Sequence, residues 1–86
     1  GKGKIVATFM IEGIKIAGVK VTYGKLTVGD KITIRRGDRQ IGQAKVASMK
    51  RFKKDYREVT SGQDCGVRLE PLLDFGENDI IESFGY

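Results

Sequence analysis

The sequence has no histidine and no tryptophan, one cysteine, one proline and no long apolar run. Each shortage excludes something. Without histidine the chain lacks the side chain most often used near neutral pH as general base and metal ligand. A single cysteine makes neither an internal disulfide nor a cysteine-cluster zinc site. No apolar stretch approaches the roughly 18 residues of a membrane span, and no signal-peptide pattern opens the chain. A soluble intracellular protein without a membrane partner is expected. With one proline against twelve glycines, turns must come from positive φ and not from a fixed ring. Four Phe and three Tyr leave the core to Ile and Val, whose branched β-carbons suit pleated strands better than helices.

What is present is a chain of 86 residues with a net charge of +5. That length allows one domain with one small core, 1–86, because a chain this short buries only about 60% of the surface its unfolded form exposes. A deep catalytic cavity is not expected. The positive balance favours an anionic partner such as RNA, DNA or a membrane surface, although many domains are basic only for solubility. The start, Gly1-Lys2-Gly3-Lys4, reads as the cut end of a longer, multidomain protein.

Hydrophobic alternation predicts strands over Lys4 to Ile11 and Ile14 to Tyr23, the second apolar on both faces, as for a strand buried in a closed barrel. A turn-rich connection, Gly24 to Asp30, leads to a strand at Lys31 to Arg35 with Ile32 and Ile34 inward. Arg36-Gly37-Asp38-Arg39 has the composition of a tight hairpin. The returning strand runs from Gln40 to about Phe52 and slips its period around Val46 to Met49, which predicts a bulge or bend. Cys65 to Leu69 and Asp79 to Phe84 are further strands, with Pro71 in a loop between them. No segment has helical apolar spacing. The class is all-β, a small antiparallel barrel.

Four features carry possible chemistry. Residues 50–57, Lys50-Arg51-Phe52-Lys53-Lys54-Asp55-Tyr56-Arg57, hold five cations, one acid and two interleaved aromatics. Cations at this density follow a phosphate backbone, and the rings offer faces to unstacked bases at about 1–3 kcal/mol per base. An exposed strand edge guarded by lysines has the same composition. Cys65, in Gln63-Asp64-Cys65-Gly66, has no histidine to activate it, and the neighbouring Asp64 raises a thiol pKa. It is either a small buried apolar residue or a soft sulfur lining a pocket. The glycines match neither phosphate-cradling pattern and read as turns. The carboxylates Glu58, Asp64, Glu70, Asp74, Glu77, Asp79 and Glu82 read as a solvated surface. No catalysis is expected.

The runs Ile16-Ala17-Gly18, Val21-Thr22, Gly24-Lys25-Leu26, 45–53 (KVASMKRFK), Glu58-Val59, Gly62, Cys65-Gly66 and Asp79-Ile80-Ile81-Glu82 occur in that order. Together they resemble the C-terminal domain of bacterial and organellar translation initiation factor two, from about Ile5 to Phe84. The resemblance implies a six-stranded β-barrel similar to domain two of elongation factor Tu. It implies a monomeric module that binds the 3′ aminoacyl end of formylmethionyl initiator tRNA, with GTP and the ribosome bound by other domains and no cofactor in this one. It places the protein in the cytoplasm, or in the mitochondrial or plastid interior if the source is organellar. Carried over by position, the tRNA contacts are Lys50, Arg51, Phe52, Lys53, Asp64, Cys65, Gly66 and Val19. Val19 stands where the family often has cysteine, Asp64 where it has glutamate, Tyr23 where aspartate is common and Asn78 where it has glycine. If a neutral formylated amine is to be preferred to a charged one, the Asp64 side chain is expected to point away from the pocket. The alternatives are a barrel of another translational GTPase docking on ribosomal RNA, and a protein-interaction barrel.

Overall fold

A computed structural model describes residues 1–70 and 75–83. Alternation decides what faces inward. In β1 (Lys2–Ile11) Gly3 and Ile5 are buried, and in β2 (Ile14–Tyr23) Ala17, Val19 and Val21 are. β4 (Lys31–Arg36) contributes Ile32 and Ile34, and β5 (Arg39–Arg51) Ala44 and Val46. The ladder then slips between Val46 and Ser48, and Met49 becomes the next inward residue. β8 (Asp64–Glu70) adds Cys65, Val67 and Leu69, and β9 (Ile80–Ser83) adds Ile81.

These six strands pair antiparallel in the order β4-β9-β1-β2-β8-β5, and a β4–β5 ladder closes the ring. Closure leaves none of the six as a sheet edge. β6 (Lys54–Tyr56) extends β5 as a short hairpin. The connection 24–30 holds a strand, β3 (Lys25–Thr27), where only turns were expected. It pairs with β7 (Glu58–Thr60) and delivers Leu26 and Val59 to the core. Three residues carry too little alternation for a strand to be read from sequence. Pro71, Asp74 and Phe84 lie outside the described residues.

β2 corrects one expectation. A closed barrel has a single interior, and only the Ala17, Val19, Val21 face enters it. The other apolar set, Ile14, Ile16 and Gly18, faces outward.

Asp79 corrects another. It is no solvated carboxylate: at 1% exposure it accepts two hydrogen bonds from Arg36, from Nε at 2.9 Å and Nη2 at 3.0 Å, and one from the Gly76 N–H at 2.7 Å. This clamp fastens the turn before β9 to the end of β4. Asn78, at φ 72° and therefore where glycine or asparagine fits best, donates its N–H to the Ile5 carbonyl at 2.7 Å. Phe75 is buried beneath, its carbonyl bonded by the Lys15 ammonium, which lies 4.7 Å from the ring centroid.

The Arg36 hydrogen bonds, helped by the Gly76 N–H and opposed by burial, hold the Asp79 carboxyl below its ordinary pKa. The folded state therefore releases this proton more readily than the unfolded chain, so the stability it contributes is present above the ordinary carboxyl value and lost as pH falls through the depressed one. Asp79→Asn should cost about 1–3 kcal/mol near neutral pH. In urea titrations from pH 7 to pH 3, the gap to the unsubstituted protein should narrow below about pH 4; a gap constant across that range would show the ionised pair contributes nothing.

Candidate nucleic-acid interface

The outward residues of β2 explain the site. Across β1, β2, β8 and β5, Ala7, Gly18, Gly66 and Lys50 are successive cross-strand neighbours. The two middle positions carry no side chain, so the outer surface sinks there. Gly18 is required by close approach, because a β-carbon would meet the Phe9 ring at 3.0 Å and the Ala7 carbonyl at 3.3 Å. At Gly66 the nearest atom would be Ile16 Cγ2 at 3.4 Å, ordinary contact, so a methyl group fits the fold there and simply fills the hollow.

The hollow encloses about 230 Å³. One wall comes from Val6, Ala7 and Phe9 of β1, with Val6 pushed out by a register shift between Ile5 and Ala7. The opposite wall is the β5–β6 hairpin, with Lys50, Arg51 and Phe52, and the start of β8 supplies Asp64, Cys65 and Gly66. Val19, the cross-strand partner of Cys65, completes it. Seven of the eight residues inferred from sequence thus share one hollow. Lys53, exposed at the hairpin tip, does not line it. A second hollow of about 270 Å³ continues past Phe9, Lys50 and Gly66 toward Ile11, Ile14, Ile16 and Arg68. Sequence reasoning missed Val6, Ala7, Phe9 and Gly18. The signal was available: apolar residues in excess of what the barrel interior takes, on the outer faces of β1 and β2.

The hairpin is strained. Arg51 pairs with Lys54, which leaves Phe52 and Lys53 as a two-residue turn with φ of 51° and 65°. A turn with both central residues at positive φ favours Asn-Gly, and a non-glycine residue held there costs roughly 1–2 kcal/mol. At the tip of this turn Phe52 is 80% exposed on the rim of the hollow. Arg51 locks the hairpin to β8. Its Nε donates to the Asp64 carbonyl at 2.7 Å, and its guanidinium carbon lies 5.1 Å from the Phe52 ring centroid and 5.6 Å from that of Tyr56. Asp64 lies outside the Gly18–Gly66 row, opposite Lys20.

Cys65 is 7% exposed, part of the core and of the hollow's wall at once, so both readings of it hold. Burial, with a smaller contribution from Asp64 and against Arg51, pushes its thiol up to about 11. At neutral pH it is an uncharged, soft contact and not a nucleophile. Among the described residues no cluster of His, Cys, Asp or Glu could hold a metal ion, and no helix is long and apolar enough to cross a membrane.

A thiol raised from 9.0 to about 11 has about a hundredfold less thiolate at neutral pH, so iodoacetamide should label Cys65 at least a hundredfold more slowly in the folded protein than in urea; equal rates would contradict the burial argument. Replacing Phe52-Lys53 by Asn-Gly should relieve the turn and stabilise the barrel by about 1–2 kcal/mol, read as a higher melting temperature. An unchanged or lower one would mean that the hairpin is not strained.

Comparison with known proteins agrees with this architecture. Residues 15–70 match the family described as elongation factor Tu domain 2. Over 85 residues and 98% of its length, the chain is 39% identical to translation initiation factor IF-2 of Thermus thermophilus, spanning 15% of that protein. Over the same share it is 40% identical to the factors of the same name from Caldanaerobacter subterraneus and Bartonella tribocorum, spanning 12% and 10% of them. The closed antiparallel barrel and the match across most of its strands lead to one assignment: the chain belongs to the elongation factor Tu domain 2 family.

Proposed function

We propose that this barrel works in translation initiation by holding the 3′ aminoacyl end of formylmethionyl initiator tRNA, as a non-catalytic monomeric module of a longer factor. In that factor other domains bind GTP and the ribosome. The observation that carries the reading is the junction of a glycine-floored apolar hollow with a basic, ring-bearing hairpin. The first suits a neutral aminoacyl group and the second an unpaired nucleic-acid end.

The chemistry follows from size and charge. About 230 Å³ is below the range that encloses drug-sized ligands, and it suits one side chain with its amide. Methionine is unbranched and its sulfur polarisable, which suits contact with the Phe9 ring and the Cys65 sulfur. Formylation turns a charged amine into a neutral amide. An unformylated amine would carry its charge into a wall of apolar atoms and lose hydration, with Lys50 and Arg51 close by to repel it. Asp64 is the one carboxylate of the wall, and its place opposite Lys20 sets a cation beside it. Selectivity in this reading is exclusion of charge. Beyond the hollow, Phe52 and the cations of the hairpin meet the CCA bases and phosphates, which are open because the tRNA end is single stranded.

The test compares protection of the aminoacyl ester bond in formylmethionyl-tRNA and in unformylated methionyl-tRNA, for the natural chain and for Gly66→Ala. The natural chain should protect the formylated ester at least tenfold better. Gly66→Ala should keep its melting temperature, because the β-carbon has room, yet lose most of that protection. Equal protection of the two tRNAs would remove the initiator assignment, and full protection by Gly66→Ala would move the aminoacyl group out of this hollow.

A further inference from the structure

Two exposed cross-strand lysine pairs lie outside the hairpin, Lys31–Lys45 on the β4–β5 ladder and Lys4–Lys20, and the second neighbours the row that floors the hollow. Lys4 on β1 and Lys20 on β2 are direct cross-strand partners, and both side chains are exposed on the outer face. Like charges placed directly opposite on neighbouring strands destabilise a sheet. Neither lysine forms an ion pair among the described residues, whereas Lys25, Arg35, Arg36 and Lys50 each have a carboxylate partner. Edge protection does not explain them either, because β1 is paired on one side with β2 and on the other with β9, and β2 with β1 and β8. Asp64, across from Lys20, is the carboxylate beside the pair, so two cations face one anion in the middle of a closed sheet.

Its position is informative. Lys20 neighbours Asp64 in the β2–β8 ladder, and the Asp64 carbonyl is held by Arg51. Lys4, Lys20 and Asp64 therefore form one row across three strands, and the Arg51 side chain joins its end to β5 through the Asp64 carbonyl. With strands about 4.8 Å apart, that row is on the order of 10 Å long. It runs beside the Ala7–Gly18–Gly66–Lys50 row that floors the hollow.

We infer that Lys4 and Lys20 are a second phosphate-binding site, which continues the path of the single-stranded RNA end from the hairpin across β2 and β1. This rests on the tRNA reading above and adds the direction of the strand to it. Two phosphates lie over the lysine pair and supply the counter-charge that Asp64 alone does not.

The experiment measures affinity for formylmethionyl and unformylated initiator tRNA between 50 and 200 mM salt, for the natural chain, Lys4→Gln/Lys20→Gln and Lys4→Arg/Lys20→Arg. Each phosphate neutralised on a single strand contributes about 0.7 to the log–log salt slope. The glutamine variant should lose about 1.4 from its slope, so that its deficit against the natural chain shrinks about sevenfold across that range. The arginine variant should keep the full slope. Both tRNAs should weaken alike in the glutamine variant, leaving their ratio as it was. Its melting temperature should change little, because a like-charge contact with Lys4 and an opposite-charge one with Asp64 are removed together. A folded glutamine variant with an unchanged slope overturns the inference. A natural chain that binds both tRNAs equally would overturn the formyl reading and leave the slope test standing, and one that binds neither tRNA would overturn both.

Discussion

The constraint behind everything else is that a six-stranded ring has no spare interior. Ile5, Val19, Val21, Ile32, Ile34, Val46, Val67, Leu69 and Ile81 fill it, with Leu26, Val59 and Phe75 alongside. With the interior filled by these side chains, a ligand is met on the outer surface, where side chains normally project into water. A concave, partly apolar patch there needs two departures from the ordinary outer face: apolar residues that the core does not use, and positions with no side chain at all. The outward faces of β1 and β2 supply the first, and Gly18 with Gly66 the second.

The same constraint sorts what was legible in the sequence. Strands with clean alternation, such as Ile32 and Ile34 in β4, are set by burial on one face, and a period of two survives in the residue order. The slip in β5 was legible because the buried series changes parity between Val46 and Met49. The three-residue strands β3 and β7 were not, since their pairing is decided by tertiary closure. Nor was the clamp at Asp79: one carboxylate among many is singled out only when Arg36, 43 residues away, folds against it.

Site residues divide in the same way. Those in the 50–53 run and the Asp64-Cys65-Gly66 corner stand out as charged, aromatic or sulfur-bearing residues, and through their resemblance to a family. That β8 lies between β2 and β5, and so brings the corner against the hairpin, is a property of strand order alone. Phe9 and Gly18 were not singled out as site residues because apolar residues and glycines are common in strands. Their significance appears once the faces are known. Lys4 and Lys20 are likewise two ordinary lysines until the register sets them opposite each other.

The tolerance of the backbone at position 66 has an evolutionary corollary. Drift toward alanine there meets no steric barrier from the barrel, while at position 18 the Phe9 ring resists it. The two glycines therefore carry different information. In a descendant barrel without the binding role proposed for the hollow, the first should be lost freely and the second should persist while Phe9 and the Ala7 carbonyl crowd it, so the pair would separate loss of that role from loss of the fold.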